Sequence, residues 1–206
     1  GIVEQPAILE AIFTQARAEF RQRQAGLEIH TEISVSPEDD VELRRITITN
    51  RSPVARSLEL TSYAEVVLAL PAADAAHPAF SNLFVQTEFA RKSSALLCTR
   101  RARSQEERPP WLLHLMVGQG GELGVVSCET DRGRFVGRGG SLANPAAMQS
   151  PSPLSNTVGS VLDPIVALRR AVARDEDARR QRAHGRFAAL LGKDLRVFLP
   201  VEGDRD

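Results

Sequence analysis

A period-two alternation of apolar and polar residues constrains the fold of this chain more than any other feature. From position 58 to position 70, every even position holds Leu, Ser, Ala or Val, and most odd positions hold Glu, Thr or Tyr. Successive side chains of a β-strand point to opposite faces, so this pattern predicts a strand with one buried and one wetter face. The chain therefore predicts a β-sheet scaffold before it offers any chemistry.

The segment before this strand repeats the alternation with an interruption. Val41 and Leu43 alternate, the pair Arg44-Arg45 follows, and Ile46 and Ile48 resume one position out of step. A β-bulge would produce such a slip, so a bulge is predicted here. The turn-forming run Asn50-Arg51-Ser52-Pro53 lies between the two alternating segments, which predicts two neighbouring antiparallel strands joined by a short turn.

Further strands follow at regular spacing, which favours a sandwich over a βαβ fold. The predicted strands cover residues 27–35, 83–89, 95–99, 111–117 and 123–128. Residues 71–80, with two prolines and many small residues, predict a loop or a short helical turn. Residues 130–155 are rich in Gly, Pro, Ser and Asn. A loop of that length is usually functional or mobile.

The C-terminal third presents a conflict between two patterns. Asp163-Pro164 is a good N-cap and first-turn pair, and the following Ala, Leu and Arg residues favour a helix from Pro164 towards Leu191. Residues 174–186 carry many charges and almost no large apolar side chain. They are predicted to be either a solvated helix or disordered.

Composition excludes several classes of function. Lys plus Arg and Asp plus Glu number 26 each, so the formal net charge is zero and no global field favours nucleic acid or an anionic membrane. No apolar run approaches the ~18 residues of a membrane span, and no signal peptide pattern is visible. The two cysteines, Cys98 and Cys128, lie in apolar runs and are predicted to be buried free thiols. A reducing, cytoplasmic compartment fits them.

Residues with chemical potential are few. The four histidines are scattered without the spacing of metal ligands. Of the four, His77, which lies beside Pro78 in a loop, is retained as a candidate functional residue. Arg132, Arg134 and Arg138 lie in a glycine-rich loop and could hold a carboxylate or phosphate through forked hydrogen bonds. They could equally form ion pairs with acids of a neighbouring domain.

Structural interpretations account for the remaining candidate residues. Gly137-Arg138-Gly139-Gly140 lacks the arrangement of a P-loop. The cluster Glu38-Asp39-Asp40 is predicted to be a solvated turn, since adjacent strand residues point to opposite sides. Trp111 and Tyr63 could stack on sugars, although aromatic residues at strand spacing are more often core. No catalytic residue, metal site or cofactor is predicted.

Several long phrases resemble one known module. They are HTEISVSPEDDVELRRITITNRS (residues 30–52), LELTSYAEVVLALPAADAAHPAFSNLFVQTEF (58–89), TDRGRFVGRGG (130–140) and LSNTVGSVLDPIVALRR (154–170). They are similar to the β-sandwich, or supersandwich, domain of glycoside hydrolase family 94, which includes cellobiose- and chitobiose-type phosphorylases. The similarity is strongest to the phosphorylase-like region of cyclic β-1,2-glucan synthases.

The resemblance implies a mainly all-β chain, a large antiparallel β-sandwich of galactose mutarotase-like type, in which residues 165–172 form a strand. It divides the chain into a poorly matched segment (1–16), the sandwich domain (17–172) and a charged tail (173–206) that is helical or disordered. In this family the catalytic aspartate lies in an (α/α)6 barrel, so no catalytic residue is carried over. We therefore expect a fragment that lacks the barrel.

The expected function is a non-catalytic module of a glycosyltransferase or glycoside phosphorylase acting on β-glucans, inactive alone. Its expected partners are the (α/α)6 barrel, a β-glucan oligosaccharide and a second copy of the chain. The longer enzyme is expected at the inner membrane. The candidate contact residues are His77, Phe80, Arg132, Arg134 and Arg138. The alternative is a stand-alone carbohydrate-binding β-sandwich protein.

Overall fold

The computed structural model describes residues 8–53, 56–102, 104–119, 124–172, 184–190 and 196–198. Strands dominate this part of the chain, and the helices are short. The strands are β1 (Ile8–Phe13), β2 (Ala18–Gln24), β3 (Leu27–Val35), β4 (Glu42–Asn50), β5 (Leu58–Glu65), β6 (Val85–Ala90), β7 (Ala95–Arg100), β8 (Trp111–Gln119), β9 (Ser127–Asp131), β10 (Pro164–Val172), β11 (His184–Leu190) and β12 (Arg196–Phe198). The helices are α1 (Pro71–Ala76), α2 (Pro78–Asn82) and α3 (Arg132–Val136), with a 3-10 turn at Ala146–Met148.

These strands form two antiparallel sheets. The large sheet has eight strands in the order β1-β2-β3-β4-β11-β8-β7-β6, and the small sheet has four in the order β12-β5-β10-β9. One apolar cluster contains side chains from both sheets, so the sheets pack face to face. Leu27, Ile48 and Leu96 contribute from the large sheet, and Leu60 and Val166 from the small one. The predicted antiparallel β-sandwich is confirmed.

A second apolar cluster, the outer core, lies on the other face of the small sheet. It joins Tyr63 of β5 and Ile165 of β10 to Phe135 of α3 and Leu154, and the Tyr63 and Phe135 ring centroids are 4.9 Å apart. The chain between β9 and β10 therefore packs over the small sheet. Because of this cover, β5 and β10 are buried on both faces.

Arg169 of β10 fixes this covering segment from below. Its side chain is only 3% exposed. Nε donates to Thr61 Oγ1 (2.9 Å), Nη1 to the carbonyl oxygens of Ser150 (3.2 Å) and Ser152 (2.7 Å), and Nη2 to that of Ala147 (2.6 Å). Burial lowers the pKa of the guanidinium. A buried cation is tolerated here because carbonyl and hydroxyl oxygens replace its water.

Two predictions about the first alternating segments are wrong. β4 and β5 do not pair, because β4 lies between β3 and β11 in the large sheet and β5 lies in the small sheet. The chain crosses from one sheet to the other after Asn50. The predicted bulge is also missing from β4, whose register with β3 is continuous. Leu43 is exposed on the outer face, while Ile46 and Ile48 point into the core, so the two patterns belong to opposite faces.

The C-terminal segments also differ from local propensity. Pro164–Val172 is strand β10, paired with both β5 and β9, as the resemblance implies and against the helical preference of its residues. Pairing on both sides outweighs a weak intrinsic preference. Within the expected helical or disordered tail, His184–Leu190 instead forms β11, hydrogen-bonded to β4 and β8. Residues 173–183, most of the charged run, lie outside the described part.

Both cysteines and His114 are buried in the protein interior. Cys98 and Cys128 are buried free thiols, as predicted. Burial raises the pKa of Cys98 to about 12 and that of Cys128 to about 11, so both thiols stay protonated and unreactive at neutral pH. His114 is fully buried, and its Nε2 lies 2.7 Å from Ser62 Oγ across the two sheets.

Candidate functional site

Three strands of the small sheet place polar side chains at one common end. β5 ends at Glu65, β9 ends at Asp131, and β10 begins at Pro164. Because these strands run antiparallel, Ile165 lies opposite Glu65 and Pro164 lies opposite Asp131. Asp163 and Arg132 directly adjoin these positions. We call this end of the sandwich, together with the α1–α2 segment beside it, the docking end.

Arg132 is held at the docking end by two carboxylates of this chain. Its Nε donates to Glu65 Oε1 at 3.1 Å, and its Nη1 lies 3.8 Å from Asp163 Oδ2. Tyr63 Oη donates to the same Glu65 oxygen at 3.0 Å. The hydrogen bond to Glu65 raises the pKa of Arg132, whereas burial raises the pKa of Asp163 despite the nearby guanidinium. Arg132 thus joins β5 to the start of β10.

The next arginine in the loop is also paired within the chain. Asp131 is the N-cap of α3, and its Oδ1 accepts hydrogen bonds from the backbone N–H groups of Gly133 (2.8 Å) and Arg134 (3.4 Å). Arg134 Nε lies 3.7 Å from Asp131 Oδ2, and most of this side chain remains exposed. Arg138 is exposed in the turn after α3. A shared anion on Arg132, Arg134 and Arg138 remains a prediction.

The α1–α2 segment is linked to the docking end through its last residue, Asn82. His77 separates the two helices and is exposed, and Phe80 is 55% exposed. The Phe80 ring makes an edge-on contact with Phe84, with centroids 5.1 Å apart. Asn82 Nδ2 donates to Asp163 Oδ1 at 3.3 Å, which ties the end of α2 to the carboxylate beside Arg132. The structure therefore brings the two groups of candidate residues to one end.

Large apolar side chains are exposed at the docking end. Leu70 is 77% exposed and Leu162 is 79% exposed, and Val67 and Leu83 are about half exposed. Leu162 precedes Asp163, and Val67 and Leu70 follow β5. Sequence reasoning missed these residues because a continuous alternation made Leu70 a strand residue. It also missed Glu65 and Asp163, which reach Arg132 only through the pairing of β5, β9 and β10.

The carboxylates at the docking end are engaged by groups of the same chain. Glu65 and Asp163 are engaged by Arg132, and Asp131 is engaged by the backbone of α3. Among the residues that the structure describes, no group of three His, Cys, Asp or Glu side chains could hold a metal ion. The turn Glu38-Asp39-Asp40 is exposed, as predicted.

The two aromatic candidates for sugar stacking separate in the structure. Tyr63 is buried in the outer core, which agrees with the core interpretation. Burial raises its pKa above the ordinary value of a phenol. Trp111, the first residue of β8, is 67% exposed, so the core interpretation is wrong for it. Its indole lies on the outer face of the large sheet, in a strand other than those that form the docking end.

Comparison with known proteins identifies the family to which this sandwich belongs. The family model described as glycosyl hydrolase 94, supersandwich domain, matches residues 2–183. The chain is 40% identical over 160 residues to the cyclic beta-(1,2)-glucan synthase NdvB of Rhizobium meliloti (strain 1021). This match covers 78% of the chain and spans 6% of the length of that relative. No helix in the described ranges is long and apolar enough to cross a membrane. The chain belongs to the glycosyl hydrolase 94 supersandwich domain family.

Proposed function

We propose that this chain is the non-catalytic β-sandwich module of a β-glucan-processing glycosyltransferase or phosphorylase, and that its docking end binds a catalytic (α/α)6 barrel. The observation that carries the proposal is the set of exposed apolar side chains around an internally paired arginine. Exposed apolar patches rimmed by polar groups mark interaction surfaces. The ligand class comes from the relative, whose printed name is a cyclic beta-(1,2)-glucan synthase.

The paired carboxylates support a docking role for this end. Arg132 is already ion-paired with Glu65 and Asp163, so a partner that covers it would meet a paired cluster and not a lone guanidinium. Phe80, Leu70 and Leu162 would then supply the apolar contact area, with His77, Arg134 and Arg138 at the rim. Such an apolar centre with a charged rim is typical of protein interfaces.

The proposal includes a cytoplasmic location for this module, within an enzyme associated with the inner membrane. The two buried free thiols fit a reducing compartment. A second copy of the chain is the competing occupant of the docking end.

Association in trans tests the proposal. The purified chain is mixed with a separately expressed (α/α)6 barrel, and binding is measured by calorimetry. Leu70→Asp places a charge in the proposed contact and should weaken binding at least tenfold, since burial of a leucine is worth about 1.5–3 kcal/mol. Val125→Asp is the matched control. Val125 is 95% exposed and precedes β9, at the opposite end from Asp131.

Each result has a clear meaning. Selective weakening by Leu70→Asp supports the proposal. Equal weakening by both variants, or no association at all, contradicts it. Sedimentation of the chain alone measures whether a second copy binds the docking end. A dimer that dissociates in the Leu70→Asp variant would assign the docking end to self-association.

A further inference from the structure

The outer face of the large sheet has two unlike halves. On β2, β3 and β4 it carries ion pairs, such as Arg45 with Glu32 and Arg23 with Glu28. On β6, β7 and β8 it carries the exposed Trp111 beside a groove of about 320 Å³. We call this groove, lined by Gln86, Glu88, Leu97, Thr99, Trp111 and Ser160, the Trp111 groove.

Strand register aligns the groove residues. Gln86 of β6 lies opposite Thr99 of β7, which lies opposite Trp111 of β8. The next row on the same face pairs Glu88 with Leu97. An indole, an amide, a hydroxyl and a carboxylate therefore share one surface across three neighbouring strands. Neighbours directly opposite in a sheet have Cβ atoms about 4.5–5.5 Å apart, so a single ligand can contact them together.

The far wall of the groove is fixed by hydrogen bonds. Thr87 and Gly159 exchange backbone hydrogen bonds in both directions, at 3.0 and 2.9 Å. Thr87 Oγ1 donates to Thr130 Oγ1 at 3.0 Å, which links this wall to β9. The groove is thus formed in the free chain, so binding a ligand would cost little conformational entropy.

One polar atom in the groove has no partner. Thr99 Oγ1 is buried, and within the described residues it makes no hydrogen bond. A buried hydroxyl without a partner costs about 1–3 kcal/mol, so such atoms in native structures call for an explanation. A rotation of the Thr99 side chain about χ1 would turn this oxygen into the Trp111 groove, where a ligand hydroxyl would provide the missing partner.

We propose that the Trp111 groove, on the outer face of the large sheet, is a binding site for a β-linked glucan chain. A pyranose ring presents an apolar C–H face that can cover the indole, while its hydroxyls meet Gln86, Glu88 and Thr99. The lining described for the groove has no positive charge, which disfavours nucleic acid and phosphate. The choice of a β-linked glucan rests on the proposed function. The site would hold part of a long glucan away from the catalytic barrel.

The chain contains a single tryptophan, so its fluorescence reports on this groove alone. The purified chain is titrated with β-1,2-linked glucooligosaccharides, and with maltoheptaose as an α-linked comparison. We expect a saturable shift of the emission with the β-linked sugar only. No saturable change up to the solubility limit overturns the proposal, and so does equal binding of maltoheptaose.

Variants locate the binding by calorimetry. Trp111→Ala is expected to weaken glucan binding at least tenfold, and Gln86→Ala severalfold. Phe80→Ala, an exposed aromatic residue at the docking end, should leave it unchanged. Gln86→Ala provides a second test if Trp111→Ala fails to fold by circular dichroism. Unchanged binding in Trp111→Ala or in Gln86→Ala, or an equal loss in Phe80→Ala, contradicts the assignment.

The two proposals fail separately. Trp111→Ala should bind the (α/α)6 barrel with unchanged affinity, because the indole is outside the docking end. Barrel association without glucan binding overturns only the Trp111 groove. Glucan binding without barrel association overturns the proposed function and leaves the groove as a carbohydrate-binding surface.

Discussion

At the residue scale, Arg169 combines a buried charge with several hydrogen bonds to the segment that covers the small sheet. Its guanidinium satisfies carbonyl oxygens of Ala147, Ser150 and Ser152 beneath the outer core. Arg169→Met keeps much of the volume and removes every donor. The buried Thr61 hydroxyl and three part-buried carbonyl oxygens lose this partner, and a lost hydrogen bond to a charged group costs about 1.5–3 kcal/mol. We expect the free energy of unfolding to fall by about 3 kcal/mol in urea titrations.

Arg138→Met is the matched control for this prediction. It removes the same charge from an exposed turn of the same loop, where the change should stay within about 0.5 kcal/mol. Equal losses in the two variants would show that charge, rather than the buried hydrogen bonds, carries the effect.

A second prediction at this scale concerns pH. Arg45 donates two hydrogen bonds to Glu32, at 2.6 and 2.5 Å, and this contact holds the pKa of Glu32 below its ordinary value of 4.5. A carboxylate with a lowered folded pKa stabilises the fold above its unfolded pKa, and that contribution is lost as pH falls through the folded value. Stability should therefore fall as the pH drops below about 5 and through the lowered pKa of Glu32.

Glu32→Gln tests this contribution. It should be less stable than the original chain at pH 7, and its stability should fall less steeply on acidification, as measured by urea unfolding at several pH values. Glu38→Gln, in the exposed turn before β4, should follow the original profile. A Glu32→Gln profile parallel to that of the original chain would remove Glu32 from the acid response.

At the element scale, the turn after α3 depends on glycine. Gly137 has a φ of +83°, and a Cβ built there would lie 2.6 Å from the Cβ of Ala146. Gly139 has a φ of +70°, with no atom within 4 Å of such a Cβ. Gly139→Ala carries the cost of a positive φ, about 1–2 kcal/mol. Gly137 also has a ψ of 158°, a backbone region essentially restricted to glycine, so Gly137→Ala carries about 1–3 kcal/mol of backbone strain and adds overpacking of about 1–3 kcal/mol.

We expect Gly137→Ala to lower the melting temperature more than Gly139→Ala. The difference should also appear as faster proteolysis of the segment from Ala146 to Ser155, because the clash lies against the 3-10 turn. Similar melting temperatures would mean that the 3-10 turn moves away without cost.

How far the sequence predicts the elements depends on whether a strand is covered on one face or on both. β3 was predicted with its observed bounds, because its inner positions are apolar and its outer positions are polar. β10 is buried on both faces, so its Ala, Leu and Arg residues show no period of two and favour a helix locally. Only the family resemblance, which reflects tertiary context, predicts a strand at residues 165–172.

At the scale of the whole molecule, sequence order did not reveal which strands are neighbours. β4 and β5 are consecutive in the chain and lie in different sheets. The candidate site shows the same limit. His77, Phe80 and Arg132 were named from their loops, whereas Glu65 and Asp163, about 100 residues apart, reach Arg132 only after the small sheet forms. Pairing between distant segments is the information that local patterns lack.

The last prediction follows from the uneven charge of the docking end. Arg132 is neutralised within the chain, while Arg134 keeps most of its side chain in solvent at the rim. Rim charges act mainly on the rate of encounter, and salt screens them over about 10 Å at 0.1 M. If the docking end binds the barrel, Arg134→Ala should slow association severalfold at low salt and hardly at 0.5 M. Dissociation and the melting temperature should stay unchanged.

Arg91→Ala, at the far end of β6, is the control and should alter neither rate. Stopped-flow mixing at two salt concentrations measures both. A change confined to dissociation would place Arg134 inside the contact, and no change in either rate would remove it from the docking end.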